Sequence, residues 1–309
     1  MIRSLFVPVD GSAFGEHSLP LAFSLARRAN ARIRIARVHE LFPPAYGGAV
    51  QFAGMVDDAV RQRENSYLDD LRRRLPDDVA GRTTVELLDG EVVPTLKERA
   101  DTADLVVMTT HGYGPLARFW LGSVADELPR VVRTPVLLVR PGEHPADLRA
   151  EVGVKQILVA LDGSKAAEDI LGPVTDVATI AGATIQLVRV VPPLLIEGGS
   201  GSHDDDARGP TLLDELRQEQ RAELERTEAY LASVAARTAS TGLTVQTRVL
   251  LAEKPAVAIL REAEVAGADL MALATHGRRG LPRLLIGSVA DKLIRGSNLS
   301  VLINRQHAD

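Results

Sequence analysis

Residues 109–126 read TTHGYGPLARFWLGSVAD, and residues 274–291 read ATHGRRGLPRLLIGSVAD. Both copies contain His-Gly, a spacer of nine residues and then Gly-Ser-Val-Ala-Asp. A glycine-rich loop that ends at the start of a helix presents backbone N–H groups and the positive end of the helix dipole to an anion. The chain therefore contains two copies of one unit, and each copy carries a candidate anion-binding loop.

The repeat extends along both halves of the chain. LFVPVDGS at 5–12 matches ILVALDGS at 157–164, IRIARV at 33–38 matches IQLVRV at 185–190, and ADLVVM at 103–108 matches ADLMAL at 268–273. We also align residues 135–139 with residues 299–303. A repeat of this length indicates a duplicated domain rather than a solenoid unit.

Short apolar strands alternate with helical stretches in each half. In the first half we predict strands near 2–9, 32–38, 83–88, 104–109 and 135–140, and helices near 15–29, 54–74, 92–101 and 123–132. This alternation is typical of βαβ units and a doubly wound parallel sheet. The predicted fold class is α/β, with two tandem five-stranded Rossmann-like sheets. The predicted domains are residues 1–143 and 153–309, and the linker lies at 142–153.

The second half contains an insertion at residues 192–210, PPLLIEGGSGSHDDDARGP. Its Gly, Ser and Asp content is too polar for a core, so we expect a mobile loop, followed by a helix over 211–239. His203 beside Asp204–Asp206 allows a metal site or a solvated loop. The loop is favoured because nothing fixes the ligands, and we predict no metal site.

Composition excludes several classes of protein. The 36 basic and 41 acidic side chains give a net charge of −5, which argues against non-specific nucleic-acid binding. The chain has no Cys, so disulfides, thiolate metal sites and a cysteine nucleophile are excluded. The apolar runs are too short to span a bilayer, and the N-terminus enters a strand pattern without a signal peptide. We therefore expect a cytoplasmic location and no membrane partner.

Asp10 and Asp162 follow predicted buried strands and precede Gly-Ser. These positions lie at the carboxyl edge of the sheet, where open α/β sheets bind ligands. The alternative is an Asx turn, in which the carboxylate accepts only local hydrogen bonds.

Gly122-Ser123 and Gly287-Ser288 open the last predicted helix of each half. Glycine lets a phosphate approach the backbone closely. We expect Ser123 and Ser288 also to cap their helices, with Asp126 and Asp291 as acidic partners. Capping alone does not explain the glycines or the fixed spacer, so a phosphate-binding role is favoured. No GxxxxGK[ST] loop is present.

The spacer and its flanks contain further candidates. Arg118 and Arg283 occupy equivalent positions and either bind phosphate or form surface ion pairs. A catalytic triad of His111 or His276 with Ser and Asp is disfavoured, because no G-x-S-x-G elbow is present. We predict no catalytic residue.

With these motifs in place, both halves resemble the universal stress protein domain, and the whole chain resembles the tandem-domain members of that family. The family motif is Gly, two residues, Gly, nine residues and Gly-Ser or Gly-Thr. Its later part is present from Gly112 and from Gly277. Thr109 and Ala274 replace its first glycine, which passes close to the ribose in ATP-binding members.

The resemblance implies a nucleotide site in each half. Asp10 and Asp162 would contact adenine or ribose, and the main chain of Val38 and Val190 would hold the adenine. The residues implied to cradle the phosphates are Gly112, Gly122, Ser123 and Val124 in the first half, and Gly277, Gly287, Ser288 and Val289 in the second. Family members commonly pair through the last strand, here Val136–Val139 and Val301–Ile303. Such pairing within one chain and a further homodimer are both expected.

The predicted function is that of an ATP-binding stress-response or regulatory protein, with Mg as a possible companion of the nucleotide and an unknown regulatory protein as partner. The protein is expected to be at most a slow ATPase, since no residue is visibly placed to activate water. The alternative is a signalling scaffold of the same fold that binds no ATP. An adenylyl-transferring enzyme is disfavoured, because neither an HxGH nor an SGGxDS loop is present.

Overall fold

A computed structural model of the chain describes residues 1–40, 49–110, 122–194, 209–275 and 287–305. The elements of the first half are β1 (Ser4–Pro8), a short 3-10 helix (Gly15–His17), α1 (Ser18–Ala29), β2 (Arg32–His39), α2 (Ala49–Arg74), α3 (Asp77–Ala80), β3 (Thr83–Asp89), α4 (Val92–Ala100), β4 (Leu105–Thr109), α5 (Ser123–Val131) and β5 (Val136–Val139). Those of the second half are β6 (Gln156–Ala160), α6 (Lys165–Glu168), α7 (Leu171–Ala181), β7 (Thr184–Val191), α8 (Gly209–Ala239), β8 (Val245–Leu251), α9 (Pro255–Val265), β9 (Leu270–Thr275), α10 (Ser288–Gly296) and β10 (Ser300–Arg305).

One sheet of ten strands runs through both halves in the order β3-β2-β1-β4-β5-β10-β9-β6-β7-β8. Neighbouring strands are parallel within each half, and β5 pairs with β10 in the antiparallel sense. The predicted α/β class with a doubly wound parallel sheet in each half is confirmed. The two five-stranded sheets are continuous rather than separate.

The last strands of the two halves pair as the family resemblance implied. Val301 lies opposite Leu138, Leu302 opposite Leu137, and Ile303 opposite Val136. Because this junction is antiparallel, the carboxyl ends of the two sets of parallel strands point to opposite edges of the sheet. Any ligand sites at the carboxyl ends therefore lie on opposite edges.

The strand register corrects one predicted alignment. Val106 is beside Val136, and its repeat equivalent Met271 is beside Val301. Val136 therefore corresponds to Val301, and the alignment of residues 135–139 with 299–303 was wrong by one residue. The error arose because a run of similar apolar residues fits either register.

Two apolar layers cover the sheet, one on each face. Alternate residues of each central strand enter opposite layers, as Phe6 and Val7 of β1 do. Helices α1, α2, α7 and α8 pack on one face, and α4, α5, α9 and α10 pack on the other. The central strands β4 and β9 are buried along their whole length, as their continuous apolar runs predict.

The predicted elements of the first half are present, with differences at their ends. The helix predicted to begin near residue 54 begins at Ala49, five residues earlier. The four-residue helix α3 was not predicted, since so short a segment carries no periodic pattern. In the second half, α8 begins at Gly209, and residues 195–208 of the expected loop, with His203 and Asp204–Asp206, lie outside the described residues.

The linker contains neither helix nor strand and lies against the first half. The Val152 N–H donates to Ser24 Oγ at 2.9 Å, and the His17 ring Nε2 lies 2.7 Å from the His144 carbonyl oxygen. Helix α1 also contacts α7 of the second half, where Arg28 donates to the Ala181 carbonyl at 2.8 Å. These contacts add to the strand pairing that joins the halves.

Shortening Leu302 tests how much the junction contributes to stability. Leu302 is fully buried opposite Leu137, so Leu302→Ala should lower the free energy of unfolding by about 2–5 kcal/mol. The control is Leu251→Ala on the edge strand β8, where the side chain is 53% exposed and a change within about 0.5 kcal/mol is expected. Urea unfolding followed by circular dichroism measures both. Equal midpoints for the two variants would contradict the role given to the junction.

Candidate functional site

A cavity of about 420 Å³ opens at the carboxyl edge of the first half. It lies between the ends of β1, β2 and β4 and the start of α5, with α4 along one side. The strand order reverses between β1 and β4, and such a switch point is where open α/β sheets bind ligands. The predicted site residues that line the cavity are Asp10, Val38, Gly122, Ser123 and Val124.

The second half places its predicted residues at equivalent points of the chain. Asp162 follows β6, Val190 lies near the end of β7, and Gly287, Ser288 and Val289 open α10. Gly112 and Gly277 lie outside the described residues, as do His111, His276, Arg118 and Arg283. Their predicted roles remain predictions.

Asp10 and Asp162 each form an Asx turn, which was the alternative to a ligand-binding role in the sequence analysis. Asp10 Oδ1 accepts from the Ser12 N–H at 2.9 Å and from Ser12 Oγ at 2.6 Å. Asp162 Oδ1 accepts the same two bonds from Ser164, at 2.9 and 2.6 Å. A carboxylate has about four acceptor sites, and both residues are exposed at the sheet edge. The turn therefore fixes the carboxylate of each aspartate, and its two bonds do not use all the acceptor sites of Asp10.

The expected capping role of Ser123 and Ser288 was wrong. Gly122 and Gly287 are the N-cap residues, and neither helix has a side-chain cap bond. The Gly122 carbonyl accepts from the Asp126 N–H at 2.8 Å, and Gly287 does the same for Asp291. Both serines are the first helical residues and are exposed. Their hydroxyls are therefore not used to cap the helices.

Gly287 precedes α10 at a position where the described residues leave open space. Its φ is −56°, which any residue adopts, and no atom of the described residues lies within 4 Å of the position of an added Cβ. The backbone angle of Gly287 and its described neighbours therefore do not require glycine here. The absence of a side chain gives an outside group access to the first N–H groups of the helix.

Thr109 occupies the position of the missing first glycine in the first half. Its Oγ1 donates to the Gly15 carbonyl at 3.0 Å, so the hydroxyl joins the end of β4 to the 3-10 helix after β1. Thr109 is 7% exposed and forms part of the cavity wall. In the second half the position holds Ala274, which has no hydroxyl to make this bond.

An arginine that was not predicted lies over the Asp-Gly-Ser turn of each half. Arg37 Nη1 donates to the Asp10 carbonyl at 2.7 Å, and the side chain lines the cavity. Its guanidinium stacks on Tyr67, as that of Arg189 stacks on Tyr230, with distances of 5.8 and 5.4 Å from Cζ to the ring centroid. Arg37 and Arg189 occupy the same position in the aligned segments IRIARV and IQLVRV, and this match could have identified them from the sequence.

The stacked tyrosines lie among charged groups that the halves also share. In the first half, Glu16 accepts two hydrogen bonds from Arg74, at 2.9 and 2.7 Å, and in the second Arg237 donates to Glu168. Burial and then the charge of Glu16 raise the pKa of Tyr67 well above its usual range. Burial, followed by the charge of Glu168, raises the pKa of Tyr230 to about 12. Both phenols are therefore neutral at physiological pH.

His39 distinguishes the first half from the second. It is completely buried at the end of β2, with Nδ1 2.7 Å from Glu64 Oε2 and Nε2 3.1 Å from Asp57 Oδ1. Both carboxylates belong to α2, so these contacts fix that helix against the end of β2. At the equivalent of His39 the second half has Val191. Among the described residues, no group of three or more His, Asp or Glu side chains is arranged to hold a metal ion.

The universal stress protein family model matches residues 1–140 and 153–305. A universal stress protein of Mycobacterium tuberculosis is 30% identical over 223 residues, covering 72% of this chain and 68% of that protein. Another from the same organism is 24% identical over 318 residues, covering 97% of this chain and 94% of that protein.

The fold is also that of a solved structure. The crystal structure of a universal stress protein from Archaeoglobus fulgidus superposes with a TM-score of 0.66 at 17% identity, covering 98% of each chain. The chain therefore belongs to the universal stress protein family and contains two such domains. Across the described ranges, no helix has the length and apolar character needed to cross a membrane.

Two glycine-to-serine substitutions test the geometry of the site. Gly11 has φ +82°, and an added Cβ would lie 1.5 Å from Arg37 Nη1, so Gly11→Ser should cost about 1–3 kcal/mol of stability. Gly287→Ser meets no such contact and places a favourable residue at the N-cap, so a change within about 0.5 kcal/mol is expected. Urea unfolding compares the two. Similar losses in both variants would show that the start of α10 is not open.

Proposed function

We propose that the protein binds an adenine nucleotide, ATP, at one or both carboxyl-edge sites and acts as a regulatory protein with little or no hydrolysis. The observation that carries the proposal is one cavity that contains a strand-end carboxylate, the end of β2 and the uncapped start of α5. These are the positions that the family resemblance assigns to ribose, adenine and phosphate. The volume of this cavity, about 420 Å³, is within the range of small-molecule sites.

The start of the last helix supplies the phosphate part of the proposed site. A helix N-terminus carries about half a positive charge and several N–H groups without intrahelical partners. Gly122 and Gly287 leave this end without a side-chain cap, and Ser123 and Ser288 add exposed hydroxyls. A triphosphate would accept hydrogen bonds from these groups, and its Mg²⁺ would arrive with the nucleotide.

The apolar walls suit the base. Val92 and Leu96 of α4 and Met108 of β4 line the same cavity as Val38. A flat aromatic base would bury its faces against such side chains, while its polar edge would bond to main-chain groups at the end of β2. Asp10, as the strand-end carboxylate, would accept a hydrogen bond from a ribose hydroxyl.

Thr109 is the observation that favours the alternative, a scaffold that binds no nucleotide. Its side chain stands in the cavity wall where the family motif has glycine. The bond from its hydroxyl to Gly15 ties the side chain to the protein, which reduces the obstruction to a ligand. ATP binding therefore remains the preferred function, and the second site has the smaller Ala274.

Glutamate substitutions at the helix starts test the proposal. Calorimetric titration of the wild-type chain with Mg-ATP should show binding. Gly122→Glu should abolish it in the first half and Gly287→Glu in the second, because each adds a side chain and a negative charge at the phosphates. The control is Gly81→Glu, an exposed position with open space at its Cβ just before β3, at the opposite edge of the first half from its cavity. This variant should bind as the wild type does.

Identification of nucleotide released on denaturing the purified protein provides a second measurement. ATP released in amounts comparable to the protein supports the proposal. No released nucleotide, no heat of binding and no rise in thermal stability with excess Mg-ATP would favour the scaffold. Turnover of about 1–100 s⁻¹, as in kinases, would contradict a regulatory protein without significant hydrolysis.

A further inference from the structure

We propose that Arg37 and Arg189 are positioning residues that hold the Asp-Gly-Ser turn of each half, so that Asp10 and Asp162 face their nucleotide sites. The inference rests on the proposed function and adds to it a residue in each half that the family motif does not contain. It is carried by the geometry of the turn, the anchoring of the arginine and the repetition of both in the two halves.

The turn and the guanidinium fit each other. Gly11 and Gly163 have φ values of +82° and +89°, which favour glycine. A Cβ on Gly11 would lie 1.5 Å from Arg37 Nη1, and one on Gly163 would lie 2.8 Å from Arg189 Cζ. In each half the guanidinium therefore fills the space that a side chain would need, and it covers the turn from one side.

The contact with Asp10 restricts that residue from two directions. Arg37 Nη1 donates to the Asp10 carbonyl at 2.7 Å, while Ser12 bonds to the Asp10 carboxylate. An added Cβ on Gly15 would lie 2.3 Å from Asp10 Oδ1, so the carboxylate also has little room on that side. With backbone and carboxylate both held, Asp10 keeps one orientation in the cavity wall before a ligand arrives. Such preorganisation lowers the entropy lost on binding.

Each guanidinium is itself held in place. Arg37 Nε donates to Glu64 Oε1 at 3.1 Å, and Glu64 is 6% exposed. In the second half the nearest carboxylate oxygen of Glu223 is 3.7 Å from Arg189, and that side chain is 37% exposed. The tyrosine beneath the guanidinium is therefore present in both halves, whereas the carboxylate beside it is buried only in the first half.

Arg34 supplies a matched control on the same strand. Its Nη2 donates to the Arg99 carbonyl at 3.1 Å and to Thr102 Oγ1 at 2.7 Å, and its Cζ lies 5.9 Å from the Phe6 ring centroid. It thus has a backbone bond, a side-chain bond and an aromatic contact, as Arg37 does. Arg34 packs on the opposite face of the sheet and does not line the cavity.

The experiment compares Arg37→Met, Arg37→Lys and Arg34→Met in the full chain by calorimetric titration with Mg-ATP, with the urea midpoint of each variant measured in parallel. Arg37→Met should weaken the first site about ten- to a hundredfold and leave the second unchanged, because a charge-assisted bond to the turn is lost. Arg37→Lys should recover part of the affinity, since it keeps the charge without the planar fork. Arg34→Met should lower the urea midpoint with both affinities unchanged.

The results that would overturn the positioning role differ from those that would overturn the proposed function. Wild-type affinity in Arg37→Met, or an equal loss of affinity in Arg34→Met, would overturn the positioning role while the nucleotide proposal stood. Absence of nucleotide binding in the wild-type chain would instead overturn the proposed function. If Arg37→Met does not fold, Arg189→Met serves the same purpose. It should weaken only the second site, and unchanged binding there would reject the inference.

Discussion

The antiparallel pairing of β5 with β10 is the interaction on which the arrangement of the whole chain depends. Each half would otherwise expose the unpaired N–H and C=O groups of its last strand, and an open edge of this kind invites pairing with another chain. Pairing the two edges satisfies these groups and makes a single sheet of ten strands. The two apolar layers then continue across the junction, so each half completes the core of the other.

The same junction connects α5 and α10, the two helices that begin at the candidate sites. Arg140, just after β5, donates to the Ile294 carbonyl in α10, and Arg305 at the end of β10 donates to the Arg130 carbonyl in α5. Arg295 also donates to Asp126 of the opposite half at 2.9 Å. Guanidinium groups are favourable at helix C-termini, where the backbone carbonyls carry partial negative charge. Helices α5 and α10 are therefore each fixed near the C-terminal end by the opposite half.

Local patterns predicted most of the fold but less of the site. Leu105–Met108 was predictable as a strand because a short continuous apolar run fits burial on both faces. The helix start at residues 122–123 was also predictable, but the Gly-Ser pattern did not decide which of the two residues is the cap. On β2 the repeat favours Arg37 over Arg34, because Arg189 stands at the equivalent of Arg37 and Gln186 at that of Arg34. The contacts of Arg37 with Tyr67 and Glu64 on α2 depend on the tertiary structure.

Some side chains and contacts at the candidate site are the same in the two halves, and others differ. Both halves keep the Asp-Gly-Ser turn, the covering arginine and the tyrosine beneath it. His39, with its contacts to Asp57 and Glu64, has no counterpart at Val191, and Thr109 corresponds to Ala274. The retained groups lie at this turn, whereas His39 of the first half contacts α2 and Thr109 forms part of its cavity wall. The two halves therefore share the arrangement at this turn and differ in the contacts around it.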